Sequence, residues 1–221
     1  TDVRDFYTRI YAGIQRCNTG INQANTIPGL VESTKNRRVA ELRFIRAYYY
    51  YLLVENFGGV PIVQEEFTNP VTHFVPETEQ RVYGFMFAEL NAALPELEAD
   101  PARVEAGRVT LGAAKHLLSL LYLTRGYKPF GANTDFAESA KLAEEIILSP
   151  SYGLLPSFAD VFKTANERSR EIIFSIQYEA LPGGAGHGQN IQYGWRIWQS
   201  YLGFDEGSAA VTYNKRRSDF V

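Results

Sequence analysis

Apolar side chains recur every three or four positions over most of the first 150 residues, a spacing that predicts amphipathic helices. Glycine or proline follows each periodic stretch, as expected where helices stop. The chain is therefore expected to have a predominantly all-α fold. The five predicted helices cover 2–24, 37–56, 78–94, 110–125 and 136–147, and Thr110 is the expected N-cap of the fourth.

The second predicted helix is apolar around most of its circumference, so we expect it to pack on several sides at the centre of a helical array. Its successive tyrosines point about 100° apart, which favours core packing over a flat sugar-stacking strip. Arg43, Arg46 or Glu55 are expected to hydrogen-bond the tyrosine hydroxyls, which gives Arg46 a structural role. The predicted core stripe contains Leu42, Ile45, Tyr49 and Leu52, and is widened by Tyr48, Tyr50, Tyr51 and Leu53.

Small side chains mark the expected crossing points of the later helices, and a proline follows the last of them. Paired helices of this kind are typical of tetratricopeptide hairpins, although the connecting loop is longer than a repeat of about 34 residues allows. We therefore expect repeat-like packing of helix pairs without a regular repeat. The predicted crossing residues are Ala113, Ala114, Ala140 and Ala143.

The pattern changes after Glu171, where Ile172, Phe174, Ile176 and Tyr178 alternate with a period of two and predict a short β-strand. The stretch 180–207 is rich in glycine and contains both tryptophans, a composition typical of irregular loops. We therefore expect two parts, a helical scaffold ending in one strand over 1–178 and an irregular loop region over 179–221.

Composition excludes several classes of function. A formal net charge of -3 gives no electrostatic reason to bind nucleic acid. The single cysteine, Cys17, cannot form an internal disulfide framework or a cysteine zinc site, and its place on the first apolar stripe predicts a buried hydrophobe. The longest apolar tract is shorter than the roughly 20 residues that span a bilayer.

No catalytic or cofactor motif emerges from the spacing of reactive residues. His73, His116 and His187 are not paired at metal-ligand spacing, and the glycines at 184–188 lack the third glycine and following helix of a dinucleotide site. The adjacent acids Asp205 and Glu206 lie in a glycine-rich stretch with no second motif. We expect no cofactor, no metal and no enzymatic activity.

One cluster of residues suits ligand binding, because aromatic rings pack on the C–H faces of sugars while amides and guanidinium groups bind hydroxyls. The alternative is equally weighted: Trp195 and Trp198 are three positions apart and would also anchor a short helix to the scaffold. The candidate ligand-binding residues are Asn190, Gln192, Tyr193, Trp195, Arg196, Trp198, Gln199 and Tyr201.

Three stretches resemble the SusD/RagB family. The most specific is AELRFIRAYYYY at 40–51, followed by FGGVP at 57–61. The second is GRVT at 107–110, leading into a small-residue helix. The third comprises YGL at 152–154 and EIIFSIQY at 171–178. Their order and separation also suit the family.

The resemblance implies a tetratricopeptide-like scaffold whose loops bind ligand, in a non-catalytic surface lipoprotein of the outer membrane. It implies that such a protein delivers nutrients, most often glycans, to a SusC-like TonB-dependent transporter. It further implies that a lipidated N-terminus and a C-terminal portion are missing, and that ligand aromatics lie after the strand at 171–178. A peptide ligand, a helical-repeat adaptor and a carbohydrate-active enzyme remain alternatives, the enzyme disfavoured because no catalytic cluster is present.

Overall fold

The computed structural model describes residues 2–67, 73–166 and 168–176. Over these residues the regular structure consists of five α-helices with short 3₁₀ turns, and no β-strand is present, which confirms the all-α prediction. Thr110 caps the fourth helix as expected, since its hydroxyl accepts a hydrogen bond from the Ala113 N–H at 3.3 Å. The helices are α1 (Asp2–Gln23), α2 (Glu32–Phe57), α3 (Glu79–Ala93), α4 (Leu111–Gly126) and α5 (Asp135–Ile147).

Consecutive helices pack antiparallel, because their contacts pair early residues of one helix with late residues of the next. In the α1–α2 pair, Gly20 lies beside Leu42 and Gly13 lies beside the ring of Tyr49. In α4–α5, Lys115 pairs with Glu145 at 2.7 Å, and Arg125, at the other end of α4, pairs with Asp135. This is the tetratricopeptide-like arrangement that the sequence predicts.

The chain divides into two compact units. The first comprises Thr1–Leu154 with Arg170–Phe174 and contains all five helices. The described part of the second contains 3₁₀ turns at Phe158–Phe162 and Thr164–Asn166, in which the rings of Phe158 and Phe162 lie 5.2 Å apart. The predicted loop region 179–221 lies outside the described residues, so that boundary stays a prediction.

Helix α2 packs between α1 and α3 and also touches α4, which confirms its predicted central position. The predicted core stripe is confirmed in part. Its central members, Tyr49 among them, are only half-buried, whereas Tyr50 and Leu53, which were predicted to widen it, are fully buried. The Tyr50 hydroxyl accepts a hydrogen bond from the Val63 N–H at 2.7 Å and lies 3.3 Å from the Val63 carbonyl. It does not bond to the expected partners, the arginines or Glu55. The buried apolar residues of α2 are Ala40, Phe44, Ala47, Tyr50, Leu53 and Val54.

Small residues do line the α4–α5 crossing, although not all of them are the predicted ones. Ala113 and Ala114 are buried as expected, but Ala140 is exposed. Ser139 occupies the crossing instead, where its carbonyl accepts a hydrogen bond from the Ser119 hydroxyl at 2.9 Å. The Arg125–Asp135 ion pair, between the end of α4 and the start of α5, holds α5 in this rotation.

The predicted strand at 171–178 is wrong over its described part, because 171–176 forms no strand. Ile173 and Phe174 pack against the helical core instead, and the Phe174 ring lies 5.4 Å from that of Phe44. Alternation identifies an extended, half-buried segment, but a strand also needs a neighbouring strand for its backbone hydrogen bonds. None is present among the described residues.

Candidate functional site

The ligand-binding residues predicted from sequence lie outside the described residues, so their role stays a prediction. This applies to Asn190, Gln192, Tyr193, Trp195, Arg196, Trp198, Gln199 and Tyr201. The described chain contains a different candidate, a groove between the first half of α3 and the extended segment that follows α2. We call this the α3 groove, and its lining residues are Ile62, Gln64, Glu77, Gln80, Arg81, Gly84 and Phe85.

Two glycines turn the chain from α2 into the wall of the groove. Gly58 has a φ of 71°, a conformation that side-chain-bearing residues rarely adopt, and its N–H donates to the Val54 carbonyl at 2.9 Å. A Cβ on Gly59 would lie 2.3 Å from the Glu77 carbonyl oxygen. The Glu77 N–H also donates to the Val60 carbonyl at 3.1 Å. The glycine pair therefore lets the start and the end of the connection between α2 and α3 lie side by side.

Side chains of α1 hold the extended segment from behind. The Tyr11 hydroxyl donates to the Pro61 carbonyl at 2.8 Å. The Asn18 amide donates to the carbonyls of Val63 and Glu65, each at 3.1 Å. Together with the Tyr50 hydroxyl on Val63, these bonds fix the alternate carbonyls of the segment. The wall is rigid because its backbone is bonded to two helices.

A buried ionic network supports the same wall. Arg46, 4% exposed, donates to the Asn18 side-chain oxygen at 2.8 Å and twice to one carboxylate oxygen of Glu89, at 2.8 and 2.5 Å. Arg43 donates to the other oxygen of Glu89 at 3.0 Å. Buried charges of this kind are stable only when paired and hydrogen-bonded, which is the case here. The predicted structural role of Arg46 is confirmed.

The α3 groove has a volume of about 680 Å³. Phe85 forms an apolar part of its lining, edge-on to Tyr50 with ring centres 5.0 Å apart and with the Arg46 guanidinium 5.5 Å from its own ring centre. Arg81 and Glu77 form an ion pair of 3.5 Å at the surface. Gly84 opens the groove, because a Cβ there would meet no atom within 4 Å. The groove combines an aromatic ring with amides and one compensated ion pair.

Sequence reasoning did not identify this groove, since its lining comes from two stretches, 62–64 and 77–85, without a shared motif. The available signal was Gly84, a glycine inside a helical pattern, which often marks a close approach or an open surface. Cys17 is 3% exposed, as predicted, and burial raises the pKa of its thiol to about 11, so it is a poor nucleophile at neutral pH.

Two further properties concern only the described part of the chain. No three histidine, cysteine, aspartate or glutamate side chains there are grouped so that they could hold a metal ion. No helix there combines the length and apolar character needed to cross a bilayer.

The three stretches that carry the family resemblance contact one another. Arg108, next to the positive-φ Gly107, donates to Glu41 of α2 at 3.0 Å. The hydroxyls of Thr110 and Tyr152 hydrogen-bond at 3.0 Å, and Phe174 packs on Phe44. The family model described as "Starch-binding associating with outer membrane" matches residues 1–123. The chain belongs to this SusD-like family.

Individual relatives agree with this membership. The starch-binding protein SusD of Bacteroides thetaiotaomicron is 29% identical over 182 residues, which cover 79% of this chain and 31% of that protein. A SusD superfamily structure from Parabacteroides distasonis aligns with a TM-score of 0.74 and 29% identity, over 80% of this chain and 38% of the other.

A third relative was solved with a glycan. The surface glycan-binding protein A of Bacteroides thetaiotaomicron, in complex with laminarihexaose, aligns with a TM-score of 0.66 and 25% identity, over 79% of this chain and 35% of the other. The chain thus spans about a third of the length of the SusD-like proteins it matches.

Proposed function

We propose that this SusD-like protein is a non-catalytic glycan-binding protein of the outer-membrane surface that takes part in nutrient uptake. The observation that carries the proposal is the family match over 1–123, whose description joins starch binding with the outer membrane. Two of the relatives are named as a starch-binding protein and a surface glycan-binding protein, and the second was solved with laminarihexaose. An oligosaccharide is therefore favoured over a peptide as the ligand.

The ligand-binding loop is proposed to be the stretch 190–201. Its tryptophans and tyrosines offer apolar faces to sugar rings, and Asn190, Gln192 and Arg196 offer hydrogen bonds to hydroxyls. The proposal includes binding without catalysis because the sequence contains no recognisable catalytic motif. The proposed route of the glycan is capture here and transfer to a SusC-like TonB-dependent transporter, with the protein held at the membrane by a lipid anchor.

The proposal is tested with the full-length protein on an array of neutral glycans and peptides, followed by calorimetry on the best ligand. Trp195→Ala and Trp198→Ala should each weaken binding by about 2 kcal/mol or more, as central aromatic anchors do, and leave the unfolding midpoint unchanged. Tyr127→Ala removes an aromatic ring that is 79% exposed on the scaffold and serves as the matched control.

The outcomes separate the two interpretations of the tryptophans. Early melting with normal affinity in the folded fraction would make Trp195 and Trp198 structural anchors and move the ligand site elsewhere. Binding of peptides and of no glycan would overturn the glycan proposal itself.

A further inference from the structure

The α3 groove has the size and rigidity of a ligand site. Its volume of about 680 Å³ falls within the range of about 300–1,000 Å³ that small-molecule sites occupy. One wall is a helix, and the other is the extended segment whose carbonyls at Pro61, Val63 and Glu65 are bonded to α1. Both walls are therefore ordered before any ligand binds, which lowers the entropic cost of binding.

Neutral amides face the groove from both walls. Gln64 lies on the extended segment and Gln80 on α3, and both side chains are exposed. An amide donates through its nitrogen and accepts through its oxygen, which matches a hydroxyl group that also does both. Phe85 and Ile62 supply an apolar surface beside these amides, suited to the C–H face of a sugar ring.

The charges of the groove compensate each other. Arg81 and Glu77 are its charged lining residues, and they pair at 3.5 Å with side chains that are 71% and 41% exposed. An anionic ligand would meet the Glu77 carboxylate, and a cationic one would meet the Arg81 guanidinium. A neutral ligand suffers neither repulsion and can hydrogen-bond to both groups.

The backbone of the extended wall is bonded along one edge, so a peptide that binds by strand addition would have to use its other edge. That mode takes its affinity from main-chain hydrogen bonds along an open edge. Here the Pro61, Val63 and Glu65 carbonyls already accept hydrogen bonds from α1, and the Val63 N–H already donates to Tyr50. The groove is lined on this wall by Ile62 and Gln64.

We infer that the α3 groove is a saccharide-binding site of this protein, formed by residues other than those of the stretch 190–201, and that it takes neutral sugar residues. The inference rests on the proposed glycan-binding function and adds a contact site to it. The groove alone would bind weakly.

Gly84 offers a variant that fills the groove without disturbing the fold. Gly84→Leu places a side chain where a Cβ meets no atom within 4 Å, at a helical position where leucine is favoured over glycine. We expect an unfolding midpoint at or above that of the wild type and a loss of affinity of about tenfold for a neutral oligosaccharide, such as laminarihexaose, in the full-length protein. Ala92→Leu, at an exposed position later on α3, is the matched control and should bind normally.

A second variant tests the hydrogen-bonding chemistry. Gln64→Ala combined with Gln80→Ala removes both amides from exposed positions, and should weaken binding by about five- to tenfold with little effect on folding. Amide hydrogen exchange in 60–67 and 77–85 should slow on adding the oligosaccharide to the wild type and not to Gly84→Leu.

Three outcomes distinguish a failure of the α3 groove as a binding site from a failure of the proposed glycan-binding function. Normal glycan affinity in Gly84→Leu, with no change in exchange at the groove, would overturn the groove site and leave the proposed function standing. Absence of glycan binding by the wild type at millimolar concentration would overturn both. Binding of an anionic saccharide or of a peptide in the groove, blocked by Gly84→Leu, would overturn the neutral-sugar assignment.

Discussion

The helices α1 to α3 and the pair α4–α5 use buried polar groups in different ways. Between α1, α2 and α3 the interior contains Arg46, Glu89 and Asn18, each at most 4% exposed. Arg46 donates hydrogen bonds to both Glu89 and Asn18. Between α4 and α5 the buried polar groups are Ser119 and Ser139, which hydrogen-bond at the crossing, and Asp135, which pairs with the partly exposed Arg125. The first region buries both partners of an ion pair, and the second buries only the carboxylate.

The difference shows in what each set of polar groups positions. Asn18 connects the ionic network to the carbonyls of Val63 and Glu65, so charges in the core hold a segment that is not helical and that forms a wall of the α3 groove. In the second region the Arg125–Asp135 pair joins the end of α4 to the start of α5. A buried polar network that supports an irregular segment can therefore shape a surface, whereas one that joins two helices mainly stabilises their packing.

Removing the carboxylate of Glu89 tests the first region and should give the largest effect. Glu89→Gln leaves the Arg46 guanidinium buried without a counter-charge, and we expect a loss of about 3–5 kcal/mol in the free energy of unfolding, measured by urea denaturation. Glu96→Gln, at an exposed position just beyond α3, should stay within about 0.5 kcal/mol of the wild type. A loss below about 1 kcal/mol in Glu89→Gln would mean that the network does not stabilise this region.

Asp135→Asn tests the second region. Asp135 is fully buried, hydrogen-bonds to Arg125, and accepts from the Ala132 N–H at 2.9 Å, so we expect a loss of about 2–3 kcal/mol at pH 7. Glu144→Gln, at an exposed position of the same helix, is the control.

The effect of Asp135→Asn should depend on pH in a defined direction. The hydrogen bond from Arg125, followed by that from Ala132, holds the pKa of Asp135 below its ordinary value of about 3.9. A carboxyl whose folded pKa is lowered stabilises the fold fully above the unfolded pKa, and this stability is lost as the pH falls through the folded pKa. The difference between wild type and variant should therefore narrow below about pH 4. A constant difference from pH 7 to pH 2 would contradict the ionic contribution.

Tyr50→Phe should have the smallest effect and tests the link between core and groove. The variant keeps the ring and removes the hydroxyl partner of the Val63 N–H, so we expect a loss of about 1–2 kcal/mol together with faster amide exchange at Val63. Tyr48→Phe, on an exposed face of the same helix, should change neither quantity. Equal behaviour of the two variants would show that the hydroxyl of Tyr50 does not secure the extended segment.

Features that depend on neighbouring residues could be predicted from the sequence. The five helices follow from apolar spacing, and their ends follow from residues such as Thr110, which caps α4, and Gly58, which ends α2 with a positive φ. Family membership was also visible, because its motifs are short and continuous in sequence. The residues proposed to bind ligand at 190–201 rest on composition and resemblance alone and stay a prediction.

The tertiary structure decided the rotation of α2 and of α5, whereas the buried positions Cys17 of α1 and Ala113 of α4 follow from the sequence pattern. Periodicity placed Tyr49 at the centre of the stripe and Tyr50 beside it, yet Tyr50 is the fully buried one, and Val63, 13 positions away, satisfies its hydroxyl. Ala140 was expected at the helix crossing, yet Ser139 lies there because the Arg125–Asp135 pair sets the rotation of α5. The α3 groove has the same origin, since its walls come from stretches that meet only in the fold. Local pattern determines where helices form, and hydrogen-bond partners distant in sequence determine how they face one another.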